Sequence, residues 1–314
     1  MAKRITLVRH GESESNVTGH WQGQGDSPLS PHGREQASLL AARLLDEGWH
    51  FDAAHASDLS RARDTAEAAA ARLGLSVKLD QRYREIDVGR WEGLTRPEVV
   101  ARFPEEVQAL KDGADIAIGG GESWSDLACR AEAAVLGFRD SLTEGQHGVV
   151  FAHGGFIASV VAKLGAIARH RKTRLGHMSN TSVTTLVFDR ALAIERFNDT
   201  AHIEPLGAWG EAQRKGGATV VALEATRPVG EHYLADEVAP TLDAALSALS
   251  QRHPGERIAL VVPDHRSKAD EVVQSAVFAP SRGRCHLVLD GQHRALADYN
   301  VAAPAPRAIS SSSQ

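Results

Sequence analysis

The chain has 314 residues and a formal net charge of −5, and its 42% hydrophobic and 24% charged residues are ordinary for a globular protein. This charge does not indicate a nucleic-acid-binding surface, and no run of about 18 apolar residues predicts a membrane span. The N-terminal sequence enters a strand pattern without the apolar core of a signal peptide, so we expect a cytoplasmic protein. For Cys129 and Cys285 we expect two free thiols, with a disulfide between them as the alternative.

The first part of the chain alternates between strand-like and helix-like segments. The segment "RITLVR" predicts a strand, and "LSPHGREQASLLAARLLDEG" predicts a helix with Ser30 as N-cap, Pro31 at its first position and Gly48 just past its end. The short strand "DAAHASD" precedes a second helix, "LSRARDTAEAAAARLG", for which Ser60 is the candidate cap and Gly74 the stop signal. This alternation is typical of an α/β protein with a mostly parallel sheet.

The alternation continues to about residue 200. The segment "SWSDLACRAEAAVLGFRDSL" predicts a third helix, and the apolar strand "GVVFAHG" runs directly into the helix pattern "FIASVVAKLG". The segments "SVTTLVFD" and "ALAIERFN" are typical of a hairpin that turns at Asp189 and Arg190. We therefore predict one α/β domain over residues 1–207.

Residues 208–217 form a glycine-rich, polar segment that we predict to be a linker. Beyond it, "ATVVALEA", "RIALVV" and "CHLVLD" predict three strands with helices between them. This pattern favours a small accessory βαβαβ domain over residues 218–303, whose role the sequence leaves open. Residues 304–314 are of low complexity, and we expect them to be disordered.

Five residues with reactive side chains fall where predicted strands end or predicted helices begin. Arg9 and His10 follow the first strand, His153 follows "VVFA", and Arg61 lies in the first turn of the second helix. Glu85 comes after the apolar segment "LSVKLD". Because the carboxyl ends of parallel strands form the ligand crevice of an open sheet, we expect these side chains to share one pocket.

Two histidines, two arginines and one carboxylate are the groups that phosphoryl transfer through a histidine uses. A neutral imidazole attacks phosphorus, and arginines bind the phosphate oxygens and stabilise their charge. A carboxylic acid protonates the leaving alkoxide, and transfer by way of a phosphohistidine is covalent catalysis. Because the cationic side chains take the place of a metal, we expect neither a metal nor another cofactor.

Four motifs in order along the chain resemble the histidine phosphatase superfamily, in its phosphoglycerate-mutase-like branch. They are "LVRHGES" followed by Asn16, "ASDLSRARDTA", "REIDVGRWEG" and "FAHGG". The resemblance covers roughly residues 3–204 and implies a three-layer α/β/α fold with a mostly parallel sheet.

The resemblance also implies roles for single residues. His10 matches the phosphorylated nucleophile of the family, and Glu85 matches its proton donor, with Asp87 and Glu92 as nearby alternatives. The other matches are the catalytic residues Arg9, Arg61 and His153, and Asn16, Gln22, Gly23 and Gly154 as residues that help to hold the phosphate.

The segment after the acid motif favours a phosphatase over a mutase. The cofactor-dependent mutases of the family carry a longer insert with a basic-tyrosine signature before the second histidine, and residues 95–126 are short and lack it. The resemblance therefore implies a metal-independent phosphomonoester hydrolase that acts on a small phosphorylated metabolite, such as a sugar phosphate or a phosphoglycerate-type ester. A phosphoglycerate mutase, and a phosphate-ester sensor or scaffold with little turnover, are the alternatives.

We expect the chain's partner to be a small-molecule phosphate ester, not a nucleic acid or a membrane. The oligomeric state stays open, with a homodimer among the candidates. Trp91, Trp124, His177 and Met178 are candidates for setting substrate choice at the mouth of the pocket.

Overall fold

The computed structural model describes residues 1–167, 173–175 and 177–203, together with the strands that lie between residues 218 and 301. Four parallel strands form the part of the sheet nearest the N-terminus: β1 (Lys3–Arg9), β2 (Ala53–Ala56), β3 (Val77–Leu79) and β4 (His147–Ala152). Their order in the sheet is β3-β2-β4-β1, and β4 pairs with both β1 and β2 in parallel register. The predicted parallel sheet is thus confirmed.

The predicted hairpin is confirmed as β6 (Val183–Phe188) and β7 (Leu192–Asp199). Strand β6 lies antiparallel to β1, on the side opposite β4, with Val183 facing Val8. Because β6 runs in the reverse direction, the residues that precede β6 lie beside the carboxyl end of β1.

Helices flank the sheet on both faces. Their bounds are α1 (Glu14–Thr18), α2 (Pro31–Asp46), α3 (Ser60–Leu73), α4 (Arg96–Arg102), α5 (Pro104–Lys111), α6 (Trp124–Ser141) and α7 (Gly154–Leu164). Short 3-10 helices span Gln81–Tyr83, Gly89–Trp91 and Ile118–Gly120. Within the described residues, α2, α3, α6 and α7 are the helices that the sequence predicts, whereas α1, α4 and α5 are additional.

Two hydrophobic cores lie on opposite faces of the sheet. Leu7 and Val150 belong to the core that contains side chains of α6 and α7, and Val8 and Phe151 belong to the core that contains side chains of α2 and α3. Successive strand residues point to opposite faces of a sheet, so neighbouring residues of β1 and β4 enter different cores. The result is the three-layer α/β/α arrangement that the resemblance implies.

The N-terminus of α3 differs from the expectation. Leu59, not Ser60, is its N-cap, and a leucine side chain cannot accept a hydrogen bond. Asp26 supplies an acceptor, because its Oδ1 receives the backbone N–H of Ser60 at 2.8 Å. The loop that contains Asp26 is thereby tied to the helix that carries Arg61. In α2, the predicted N-cap Ser30 is confirmed.

The remaining strands of the described residues correct one prediction. They are β5 (Thr173–Leu175), β8 (Ala218–Leu223), β9 (Glu237–Ala239), β10 (Arg257–Pro263), β11 (Arg284–Asp290) and β12 (His293–Val301). Strand β10 is parallel to β8, but β11 is antiparallel to β10, so the prediction of a βαβαβ unit is wrong for its third strand. The chain between β10 and β11 is long enough for either direction, and segment length alone therefore could not fix it.

The linker at 208–217, the helices predicted between the C-terminal strands and the tail at 304–314 lie outside the described residues, and the domain boundaries stay predictions. Cys129 is an exposed free thiol. Among the described residues, no helix is both long and apolar enough to cross a membrane.

Candidate active site

The carboxyl ends of β1 and β4 bring the two predicted histidines together. These strands are paired so that Arg9 lies opposite Ala152, and His10 and His153 are the residues that follow. The centroids of the two imidazole rings are 5.1 Å apart, and both rings are buried. Two residues far apart in the sequence therefore meet at the edge of the sheet, as the parallel topology predicts.

The His10 ring is held in one tautomer. Its Nδ1 lies 2.6 Å from the carbonyl oxygen of Gly11, and Nδ1 must carry the proton because a carbonyl oxygen only accepts. The Nε2 atom of the neutral ring keeps its lone pair, which is what a nucleophile needs. Burial, with the charges of Arg9 and Arg61, holds the pKa of His10 well below 6.5, so the ring is neutral at pH 7.

Arg61 is a fully buried cation at the start of α3. Its Nη1 donates to the carbonyl oxygen of Gly25 at 2.8 Å, and its Nη2 donates to that of Gly23 at 3.0 Å. Burial lowers the pKa of Arg61 to about 10, against the opposing effect of Glu85, so the guanidinium stays charged at neutral pH. Gly23 adopts a φ of +50°, and a Cβ on it would lie 2.6 Å from a methyl carbon of Val88. The loop that holds Arg61 thus needs a glycine at this position.

Arg9 is the second buried cation. Its Nη1 donates to the carbonyl oxygen of Met178, and its buried Nε has no hydrogen-bond partner in the described part of the chain. Burial lowers the pKa of Arg9 to about 10, and Glu85 again opposes the shift. A buried donor without a partner is costly, so this nitrogen is suited to receive an anionic oxygen atom.

His153 lies behind Arg61. The Nε of Arg61 donates to Nδ1 of His153 at 3.3 Å, so the proton of the neutral His153 ring sits on Nε2, which donates to Oγ of Ser57 at 2.9 Å. Burial and the charge of Arg61 hold the pKa of His153 well below 6.5. In this arrangement His153 orients Arg61.

Glu85 lies at the N-terminus of α7. Its Oε2 accepts the backbone N–H of Gly155 at 2.9 Å, and its Oε1 accepts the backbone N–H of Phe156 at 3.1 Å. The first N–H groups of a helix have no partner within the helix, and the two oxygens of Glu85 serve as their acceptors. Arg130 fixes the main chain on the other side, because its guanidinium donates to the carbonyl oxygens of Arg84 at 2.9 Å and Glu85 at 3.1 Å.

Two side-chain amides are oriented by Ser13, which the sequence analysis missed. The backbone N–H of Ser13 donates to Oδ1 of Asn16 at 3.1 Å, and its hydroxyl donates to Oε1 of Gln22 at 2.8 Å. Because both amide oxygens are engaged, the NH₂ groups of Asn16 and Gln22 remain as donors for a ligand.

These residues surround one cleft of about 500 Å³. The predicted site residues that line it are Arg9, His10, Asn16, Gln22, Gly23, Arg61, Glu85 and Gly154, with His153 directly behind them. The mouth candidates Trp124, His177 and Met178 also line it. Residues that sequence reasoning missed are Ser15, Gly19, His20, Trp21, Ile86, Val88, Arg96, Gly155 and Ala158.

The alternatives to Glu85 lie elsewhere. The Oδ1 of Asp87 accepts the backbone N–H of Gly89 at 2.8 Å, and Glu92 is exposed. Neither Asp87 nor Glu92 is among the described residues that line the cleft. Arg63, two residues after Arg61, forms an ion pair with Asp64 at 2.9 Å on the outer face of α3. The position of Glu85 therefore favours it over Asp87 and Glu92 as the proton donor.

Comparisons with known proteins agree with this geometry. The model of the histidine phosphatase superfamily (branch 1) matches residues 5–200. Glucosyl-3-phosphoglycerate phosphatase of Mycobacterium tuberculosis is 38% identical over 192 residues, which cover 59% of this chain and 85% of that protein. A probable phosphoglycerate mutase GpmB of Yersinia enterocolitica is 34% identical over 224 residues, which cover 67% of this chain and 99% of that protein.

A solved structure is similar as well. The mycobacterial glucosyl-3-phosphoglycerate phosphatase in complex with VO₃ superimposes with a TM-score of 0.54 and 34% identity, over 61% of this chain and 96% of that one. Fold and site together define an enzyme of the phosphoglycerate-mutase-like class. The chain belongs to the histidine phosphatase superfamily, branch 1, and it is a phosphatase of the histidine phosphatase type.

Proposed function

We propose that this phosphatase hydrolyses phosphate monoesters through a phosphohistidine on His10. The observation that carries the proposal is the hydrogen bond from Nδ1 of His10 to the carbonyl oxygen of Gly11, which leaves Nε2 as a neutral nucleophile beside two buried arginines. In the first step Nε2 attacks phosphorus, and the bond between phosphorus and the ester oxygen breaks. Glu85 gives its proton to the leaving alkoxide, which departs as an alcohol.

In the second step a water molecule attacks the phosphohistidine. Glu85, now ionised, takes the proton of that water, the bond between phosphorus and Nε2 breaks, and inorganic phosphate leaves. Arg9 and Arg61 hold the phosphate oxygens through both steps, and the NH₂ groups of Asn16 and Gln22 add neutral donors. In this scheme the buried cations supply the charge, and no step requires a metal or another cofactor.

The substrate that we propose is a small phosphorylated metabolite of the sugar phosphate or phosphoglycerate type, bound without a nucleic acid or membrane partner. Relatives named for glucosyl-3-phosphoglycerate and phosphoserine hydrolysis support a hydroxy-acid or related leaving group. The cytoplasmic location and the oligomeric state stay predictions.

The test compares wild-type protein with His10→Ala and with His32→Ala, which removes an exposed histidine on α2. We expect His10→Ala to abolish phosphate release from p-nitrophenyl phosphate and the acid-labile phosphate adduct on the peptide that contains residue 10. His32→Ala should retain both, and EDTA should leave the wild-type rate unchanged. Turnover by His10→Ala would contradict the proposal.

A mutase is the second candidate, because a relative at 34% identity is named a probable phosphoglycerate mutase. Supplying 3-phosphoglycerate with and without 2,3-bisphosphoglycerate separates the two activities. A phosphatase releases inorganic phosphate in both cases, whereas a mutase forms 2-phosphoglycerate and requires the bisphosphate.

A further inference from the structure

His202 connects helix α2 to the loop that precedes β6, and it is not among the described residues that line the cleft. Its Nδ1 lies 3.3 Å from Nη1 of Arg43, and its Nε2 lies 2.9 Å from Oγ1 of Thr181. Because a guanidinium only donates, Nδ1 is the acceptor, and the proton of the neutral ring sits on Nε2. Burial and the charge of Arg43 lower the pKa of His202 to about 3, so the ring is neutral at pH 7 and Nε2 donates to the hydroxyl group of Thr181.

Arg43 is held in place by a fully buried carboxylate. Its Nη1 and Nη2 donate to Oδ1 and Oδ2 of Asp199 at 3.2 and 2.7 Å, and its Nε donates to Oε1 of Glu47 at 2.6 Å. Nη1 of Arg196 also donates to Oδ2 of Asp199, at 2.7 Å. A bidentate pair of this kind fixes the plane of the guanidinium. Arg43 is therefore a fixed donor, and it sets the tautomer of His202.

Thr181 connects His202 to the nucleophile. It is fully buried, and its φ of +53° is a strained conformation for a β-branched residue. Its hydroxyl donates to the carbonyl oxygen of Asn180 at 2.8 Å and accepts from His202, so these two bonds fix the side chain. In this conformation the backbone N–H of Thr181 donates to the carbonyl oxygen of His10 at 3.2 Å. A Thr181 released from the left-handed region would no longer present this N–H to His10.

A second chain of the same chemistry lies in the catalytic pocket. Nε of Arg61 donates to Nδ1 of His153, and Nε2 of His153 donates to the hydroxyl of Ser57. In both chains an arginine sets the tautomer of a histidine, and that histidine then donates to a hydroxyl group. The chain through His153 orients a cation that binds phosphate, whereas the chain through His202 reaches the main chain of the nucleophile.

We infer that His202 is a positioning residue for the phosphorylation of His10. The inference rests on the proposed function, in which Nε2 of His10 attacks phosphorus. His202 acts through Thr181 and not on the substrate: its N–H orients the hydroxyl of Thr181, and the backbone N–H of Thr181 holds the carbonyl group of His10. Loss of this donor slows the attack on phosphorus and leaves the binding of phosphate by the two buried arginines unchanged.

The test removes the donor and then restores it. His202→Leu removes the N–H at similar volume, and His202→Gln supplies a side-chain NH₂ that can donate to Thr181. The matched control is His147, a second half-buried histidine, at the amino end of β4. Its Nε2 lies 2.8 Å from Oγ1 of Thr6, and burial lowers its pKa to about 4. His147 therefore resembles His202 in environment but lies at the opposite end of the sheet from His10.

Rapid quench with p-nitrophenyl phosphate gives the rate of phosphorylation, and competition by inorganic phosphate gives the affinity of the pocket. We expect His202→Leu to slow phosphorylation about tenfold and His202→Gln to stay within about threefold of the wild-type rate. The inhibition constant of phosphate should stay within about twofold in both variants. His147→Leu should change neither quantity by more than about twofold, even where it lowers the melting temperature. Equal slowing in His202→Leu and His202→Gln would overturn the inference, because packing and not the donor would then be the cause.

A double-mutant cycle shows whether the effect passes through Thr181. Thr181→Val removes the hydroxyl and keeps the branched shape, so we expect it to slow phosphorylation about tenfold, and adding His202→Leu to it should cost less than a further twofold or so. Two losses that multiply would overturn the inference. Thr181→Ser keeps the hydroxyl and should stay within about threefold of the wild-type rate. Equal rates for Thr181→Val and Thr181→Ser would contradict the inference even if His202→Leu failed to fold.

The outcomes also separate this inference from the proposed function. A wild-type protein that forms no phosphohistidine would overturn the proposed function and the role of His202 with it. A wild-type protein that forms the phosphohistidine, with an unchanged rate in His202→Leu, would overturn the role of His202 alone.

Discussion

The side-chain nitrogen of Asn180 donates to the carbonyl oxygen of His10 at 3.0 Å. The backbone N–H of Thr181 donates to the same oxygen at 3.2 Å, and the carbonyl oxygen of Ser182 accepts the backbone N–H of Arg9 at 3.1 Å. The loop before β6 thus fixes the main chain of the nucleophile from the side opposite His153. The side chain of Asn180 also lies 3.4 Å from Oδ1 of Asn16 and so connects the nucleophile to a phosphate-holding amide.

Thr181 shows how firmly this loop is held. Its φ is +53°, a left-handed conformation that is unusual and strained for a β-branched residue. Its hydroxyl donates to the carbonyl oxygen of Asn180 at 2.8 Å and accepts from Nε2 of His202 at 2.9 Å. The surrounding contacts therefore maintain the conformation that presents the Thr181 N–H to His10.

Asn180→Asp keeps the shape of the side chain and removes the donor to His10. We expect kcat to fall about tenfold, because the lost bond and a new negative charge both disturb the position of the imidazole. The melting temperature should change little, since the core stays intact. The control is Ser179→Ala, because the bond of Ser179 to Asn198 uses the backbone N–H. A fall in melting temperature that accounts for the whole loss of activity would contradict a positioning role.

Ser57→Ala tests how His153 holds Arg61. The hydroxyl of Ser57 is the acceptor for Nε2–H of His153, and its removal leaves a buried donor unsatisfied at a cost of about 1–3 kcal/mol. In the other tautomer of the neutral His153 ring the proton would sit on Nδ1, where it would face the Nε–H donor of Arg61. We therefore expect the inhibition constant of inorganic phosphate to rise about tenfold, measured by competition with p-nitrophenyl phosphate.

The matched control is Ser182→Ala. Ser182 is also fully buried, but its Oγ has no hydrogen-bond partner within the described ranges of the chain. Phosphate inhibition of Ser182→Ala should equal that of the wild-type protein. If both serine variants weakened phosphate binding equally, the effect would come from packing and not from the tautomer of His153.

The sequence predicts the residues that follow the parallel strands better than those that precede β6. Arg9, His10 and His153 are visible because a parallel sheet places its strand ends at one edge. Asn180 carries no local motif, and its contact with His10 spans 170 residues. The signal that could have found it is the hairpin itself: once β6 is known to pair antiparallel with β1, the residues before β6 must lie beside His10.

Other differences have local causes. The cap of α3 was predicted at Ser60 because serine is a good N-cap, but the acceptor comes from Asp26 in a different loop, which sequence spacing does not show. Arg96 was missed because it begins a helix that no motif marks. Trp21 directly precedes Gln22 and Gly23, and it was missed because the motif assigned a role only to those two residues. The direction of β11 was missed because its connection permits both directions.

The lowered pKa of His10 predicts how the rate of its phosphorylation depends on pH. Burial and the charges of Arg9 and Arg61 favour the neutral ring, so protonation removes the nucleophile only when the pH falls below that lowered pKa. We expect the single-turnover rate of phosphorylation, after correction for ionisation of the substrate, to show no acid limb near pH 6.5. The measurement is rapid quench with p-nitrophenyl phosphate between pH 5 and 8. A half-maximal rate at about pH 6.5 would mean that the ring titrates as an ordinary histidine.

Gly155→Ala should displace the carboxyl group of Glu85, the proposed proton donor, and leave His10 in place. A Cβ on Gly155 would lie 2.5 Å from Oε1 of Glu85, a distance that forces the carboxyl group to move. We expect the rate at which 3-phosphoglycerate phosphorylates His10, measured by rapid quench, to slow by about 100-fold, because its alkoxide must be protonated. The same phosphorylation step with p-nitrophenyl phosphate, whose leaving anion is stable without a proton, should slow by less than about tenfold. Gly137→Ala on α6, where an added Cβ meets no atom within 4 Å, should leave both rates unchanged. Equal losses for the two esters in Gly155→Ala would show that the substitution disturbs the phosphate pocket and would remove the support for Glu85 as the acid.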